Sequence, residues 1–141
     1  MKRAINMLMN KFMGRTIVVI DDSKCDCAVV KRRLLRRLNN IRVLTYHSSH
    51  AALSYFSRLK MGLEPRPEAI ILDCDLGPDD MDGYELSAVF GTHSDSFKTI
   101  LYSGNLIDLD KRKAFNVDAS FVKTASADDL IDYIERDLSL G

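Results

Sequence analysis

Residues 69–86 read AIILDCDLGPDDMDGYEL: four apolar residues, Ala69 to Leu72, run directly into five aspartates, Asp73, Asp75, Asp79, Asp80 and Asp82. A short, uniformly apolar run is the pattern of a strand covered on both faces. Related runs stand at Thr16–Ile20, Arg42–Tyr46, Thr99–Tyr102 and Ser120–Val122. Helical patterns separate them. After Ser23, the residues Cys27, Val30, Leu34 and Leu38 share one side of a helix, with Arg32, Arg33, Arg36 and Arg37 mostly elsewhere. After Ser49, Ala52, Leu53, Phe56 and Leu59 form a second stripe. Tyr84–Phe90 reads as a short third helix and Leu106–Phe115 as a fourth. In the last, Ser126 and Asp129 form a capping box, and Leu130, Ile131, Ile134 and Leu138 line the buried face. Strands and helices in alternation predict an α/β fold, a mostly parallel sheet of five strands with helices on both faces.

In such a sheet, ligands and chemistry gather where the strands end. Asp21 and Asp22 end the first run, Asp73 the third, Ser103 the fourth and Lys123 the fifth. Carboxylates brought together repel one another, and a divalent cation reverses that balance. Hard oxygen ligands favour Mg²⁺, which keeps some waters and shares phosphate oxygens readily. A carboxylate can also take a phosphoryl group as an aspartyl-phosphate, a transfer that needs positioned positive charge. Lys123 and Ser103 would serve the phosphoryl oxygens.

These residues, in this order, resemble the receiver domain of two-component response regulators. The resemblance runs from about Thr16 to Leu138 and rests on the acidic pair Asp21–Asp22, on PEAIILD followed by MDGYEL, on Ser103 in LYSG, and on Lys123. It implies that the sheet is doubly wound and flavodoxin-like, in order 2-1-3-4-5 with five helices. It also implies a phosphoacceptor aspartate. Counting back from Gly83 with the family spacing reaches Asp75, whereas counting forward from Pro67 through the strand reaches Asp73. Burial pins a strand's register, while a loop accepts two extra residues cheaply, so Asp73 is the choice. The resemblance then implies a metal held by Asp22, Asp73 and the backbone carbonyl of Asp75, with Asp21 nearby.

The chain departs from the family pattern at two places. Thr124 follows Lys123 where proline is usual. Ser120 stands where the family has its switch aromatic, and Phe121 beside it points to the other face. Asp75 and Asn105 occupy positions that tune dephosphorylation in the family.

The functional expectation is a single-domain response regulator. It would take a phosphoryl group on Asp73 from a histidine kinase or histidine phosphotransfer protein and signal to a downstream protein by conformational change. It is not expected to be an enzyme beyond slow self-dephosphorylation. The rivals are a haloacid-dehalogenase-like phosphatase, suggested by the D-x-D of Asp73 and Asp75, and a receiver-like interaction module with impaired switching.

The totals agree with a soluble protein of this kind. The 141 residues fit one domain, and 20 basic against 20 acidic residues leave no net charge to grip nucleic acid. No apolar run is long enough to span a membrane, no secretory signal is visible, and Cys25, Cys27 and Cys74 form no disulfide framework; cytoplasmic location and a monomer or weak dimer are expected. Cys25 and Cys27 with His47, His50 or His93 lack metal-ligand spacing and read as packing residues. Residues 1–14 read as an extension and 15–141 as the receiver domain, which leaves no room for an output domain. In the extension, Ile5, Leu8, Met9 and Phe12 share a helical face among Lys2, Arg3, Lys11 and Arg15. A docked helix, contact with an acidic membrane surface and a disordered tail are the three readings open for it. The basic face of the first helix is the expected docking surface for a kinase or phosphotransfer helix.

Overall fold

In the computed structural model, five strands form one parallel sheet in the order β2-β1-β3-β4-β5. They are β1 (Arg15–Ile20), β2 (Ile41–Tyr46), β3 (Ala69–Leu72), β4 (Lys98–Ser103) and β5 (Ala119–Val122). Four helices are described: α1 (Lys24–Arg37), α2 (Ser49–Lys60), α3 (Gly83–Gly91) and α4 (Asp128–Leu140). The structure describes residues 14–77, 81–91, 97–104, 110, 115, 117–123 and 127–140. The expected helix Leu106–Phe115 falls mostly outside these residues, so the fifth helix is not among those described. Outside them too lie Asp79, Asp80, His93, Asn105, Thr124, Ser126 and residues 1–13 of the extension.

Strand parity sorts the side chains into two cores. Ile17, Val19, Ile71, Ile100 and Tyr102 point to the side where Cys27, Val30 and Leu34 of α1 and Leu130, Ile131, Ile134 and Leu138 of α4 pack. Val18, Ile20, Ile70, Leu72 and Leu101 point to the other side, against Ala52, Tyr55 and Phe56 of α2 and Leu86 and Phe90 of α3. Alternate residues of one strand serve opposite cores, and this is why the central strands must be apolar at every position. The edge strands are less covered: β2 buries only Val43 fully and β5 only Ala119. For these two, the expectation of strands covered on both faces is corrected.

The helix ends follow local chemistry. Ser23 caps α1, its hydroxyl accepting from the Asp26 N–H at 3.2 Å. The second helix is capped one residue earlier than the stripe suggested, by Ser48, whose hydroxyl accepts from Ala51 at 3.1 Å. It ends in a Schellman motif: Leu63 N–H bonds to Arg58 O, Gly62 N–H to Leu59 O, and Gly62 takes a φ of 74°. Gly83, the first residue of α3, sits against the turn after β3. A Cβ there would stand 2.1 Å from the carbonyl oxygen of Asp73, so only glycine allows this approach.

Candidate functional site

The register carries the polar strand ends to one rim. Ile20 of β1 pairs with Leu72 of β3, so Asp21 and Asp73 both follow directly from paired residues. The Asp73 N–H continues the ladder to Ile20 O at 2.9 Å, and Asp21 N–H bonds to Tyr46 O at 3.0 Å. Lys123 follows β5, with its N–H on Ser103 O at 2.8 Å. Each side chain is therefore placed by a backbone bond that belongs to the sheet.

Asp21, Asp22 and Asp73 come together as expected: each offers a carboxylate oxygen, and these lie within 4.8 Å of one another. Asp21 and Asp73 are buried, with 4% and 8% of their surface exposed, while Asp22 faces solvent. Asp21 also accepts from the Ser23 N–H at 2.9 Å. An all-oxygen set of three carboxylates open on one side suits a hard divalent cation such as Mg²⁺. Among the described residues no other group of acidic, histidine or cysteine side chains converges in this way. Cys27 and His47 do approach each other at 3.6 Å, but both lie against the carbonyl of Asp21 and Cys27 is buried in the α1 core.

Asp75 is placed differently from Asp73. It is exposed, and its carboxylate accepts from the Gly77 N–H at 3.0 Å, as in a local turn. Its own N–H approaches Asp73 Oδ1 at 3.4 Å. Ser103, at the end of β4, is 1% exposed, and its side chain is in hydrogen-bond contact with the Cys74 thiol, which also meets Tyr84. Ser120 is half-buried on β5, and Phe121 packs on Tyr133 of α4 with ring centroids 5.6 Å apart, on the α1–α4 side of the sheet.

The ammonium of Lys123 is the counter-charge. It donates to Asp21 Oδ2 at 2.5 Å and to Asp26 Oδ2 at 2.9 Å, and stands 3.6 Å from Asp73 Oδ2. The Tyr102 ring lies beside it, 5.4 Å from nitrogen to centroid. Burial works against its charge, but the bonds to Asp21 and Asp26 outweigh burial and raise its pKa. For Asp73, burial and then the neighbouring Asp21 carboxylate push the pKa up to about 6, against the opposing pull of Lys123. The rim thus holds more negative than positive charge around a carboxylate that resists ionisation.

Asp26 and Tyr102 were not among the residues singled out from sequence. Asp26 had a usable signal: S-x-x-D from Ser23 marks a helix N-terminus directly after a strand end, and so a place on the rim. Tyr102, one residue before Ser103, carried none.

The basic face of α1 is partly spent within the chain. Arg33 pairs with Asp128 at 2.8 Å, and Arg37 with Asp132 and with Glu135, all on α4. Lys24, Lys31, Arg32 and Arg36 are the other exposed basic residues of α1.

No protein-family model matches this chain, and no curated protein matches it. Solved structures do. The BeF3-activated DrrB receiver domain is 23% identical, covers 90% of this chain and 99% of its own, and superposes with a TM-score of 0.73. The phosphorylated cyanobacterial phytochrome response regulator RcpA is 20% identical over 86% of this chain and 89% of its own, with a TM-score of 0.71. The Mn²⁺-bound response regulator Rcp1 is 21% identical over 87% and 91%, with a TM-score of 0.68. With the sheet order, the acidic rim and these likenesses together, the chain has the fold of response-regulator receiver domains.

Proposed function

We propose that residues 15–141 form a working receiver domain and that Asp73 is its phosphoacceptor. The observation that carries this reading is the position of Asp73: at the end of a fully buried strand, in one pocket with Asp21 and Asp22, and beside the ammonium of Lys123. Asp75, turned toward its own loop, lacks that setting. The donor is a phosphohistidine on a histidine kinase or phosphotransfer protein. A carboxylate oxygen of Asp73 forms the new bond to phosphorus as the phosphorus–nitrogen bond breaks. The imidazole leaves with the electron pair and regains a proton from solvent.

Asp21, Asp22 and Asp73, with the backbone carbonyl of Asp75, hold Mg²⁺, which when bound offsets the carboxylate repulsion and the charge on the phosphoryl oxygens. Lys123 supplies the fixed positive charge on the protein side, and the Ser103 hydroxyl donates a hydrogen bond to a phosphoryl oxygen. The extra charge then biases the β4–β5–α4 side of the molecule between two arrangements, which a downstream protein reads. No described helix is long and apolar enough to cross a membrane.

Intact-mass analysis after incubation with Mg²⁺ and acetyl phosphate tests this. One phosphoryl group per chain, lost on chelation of the metal during labelling, is expected. Multiple turnover of a generic aryl phosphate would instead favour a phosphatase, and no mass change at all would favour an inert interaction module.

A further inference from the structure

We propose that Asp26 is a positioning residue that holds Lys123 in a resting place and sets the threshold for its engagement with the phosphoryl group; this rests on the reading of Asp73 as phosphoacceptor. An ammonium has three N–H donors and no acceptor. In this structure two of its partners are within hydrogen-bond distance, Asp21 at 2.5 Å and Asp26 at 2.9 Å. The carboxylate it is to serve, Asp73, is at 3.6 Å, close enough for attraction and too far for a hydrogen bond. Tyr102 flanks the same nitrogen and completes the resting place.

Asp26 differs from the other two acids. It belongs to α1, one turn in from the Ser23 cap, and stands outside the group of carboxylates whose oxygens converge. Its side chain is 45% exposed, against 5% for Asp21 and 11% for Asp73. Water can therefore replace Lys123 at Asp26 at small cost, whereas at Asp21 it cannot. When a phosphoryl group arrives on Asp73, the bond to Asp26 is the one that gives way. Lys123 exchanges it for a phosphoryl oxygen, keeping all its protons, and Asp26 is left solvated on the helix. The pair stabilises the unphosphorylated form alone. Removing the charge of Asp26 therefore tips the balance toward the phosphorylated form.

The test compares wild type, Asp26→Asn and Asp26→Glu for binding of beryllofluoride, with Mg²⁺ saturating for each protein because the variant also loses one negative charge near the metal. Asp26→Asn is expected to bind about 3- to 10-fold more tightly, the scale of a half-exposed ion pair, with the difference shrinking at high salt. Asp26→Glu, which restores the charge, is expected to return toward wild type. In the metal-free proteins, the ¹⁵Nζ signal of Lys123 should show faster hydrogen exchange in Asp26→Asn, a change that mere loss of helix stability would not single out. Unchanged or weaker binding by a folded Asp26→Asn, or an unchanged Lys123 signal, overturns the proposal. If wild type itself binds no beryllofluoride, the phosphoacceptor reading fails and the positioning role falls with it; binding by wild type that Asp26→Asn does not tighten sinks the positioning role alone.

Discussion

Asp73 carries the account at the scale of single residues, and its electrostatics make a prediction about stability. Its folded pKa of about 6 lies above the ordinary carboxylate value of 3.8, because burial and Asp21 disfavour the charge. Between those two values the folded protein binds more protons than the unfolded chain. Stability contributed by this group is therefore present at low pH and lost as pH rises through about 6. In metal-free protein, Asp73→Asn should stabilise the fold on the order of 1–3 kcal/mol at about pH 7 and little at about pH 4. Urea denaturation at the two pH values measures this, and an equal effect at both would contradict the charge argument. The identity of Asp73, Asp21, Asp22, Ser103 and Lys123 as rim residues was legible because each directly follows or ends an apolar run. The partner of Lys123 on α1 was not, since a contact between residues 97 positions apart depends on how two elements cross the rim.

At the scale of elements, the periodicities were informative where burial was complete. The stripe of α4 reads directly as Leu130, Ile131, Ile134 and Leu138, all buried. The stripe of α2 was legible only in part: Tyr55 is fully buried while Leu53 and Leu59 are only partly so, because α2 packs between Tyr46 and the α3 aromatics. Leu130→Ala should cost about 2–5 kcal/mol, as expected for a fully buried leucine. Neutralising Arg33, whose ion pair with Asp128 is exposed on both sides, should shift the denaturation midpoint only slightly, and less at high salt. A large, salt-independent loss from the arginine would show that the α1–α4 contact rests on charge rather than on the core. The junction of β3 with α3 is equally testable. Gly83→Ala places a methyl group 2.1 Å from the Asp73 carbonyl oxygen and must move one of the two elements. It should destabilise by about 1–3 kcal/mol and slow phosphoryl acceptance. Gly91→Ala, at the far end of the same helix with nothing within 4 Å of the added carbon, should do neither. Thermal melts and labelling rates of the two variants decide it; equal behaviour would remove Gly83 from the site's support.

For the molecule as a whole, the alternation of apolar runs with amphipathic helices made a parallel sheet covered on both faces legible, while the order 2-1-3-4-5, which the structure shows, followed from the receiver resemblance rather than from the alternation. The covering of each face followed from parity: odd and even positions of β1 supply different cores. The apolar pattern by itself did not mark β2 and β5 as less covered, since an edge strand is defined by the neighbour it lacks; the strand order is what identifies them. The same topology is what makes the rim, for it brings Asp21, Asp73, Ser103 and Lys123 to one side from four different strands. The central claim is that one carboxylate of that rim, Asp73, accepts phosphorus. Labelling with a small phosphodonor and Mg²⁺, read by intact mass, tests it most directly when Asp73→Asn and Asp75→Asn are compared side by side. The account predicts that Asp75→Asn still takes up one phosphoryl group and that Asp73→Asn takes up none; uptake retained by Asp73→Asn and lost by Asp75→Asn would contradict it.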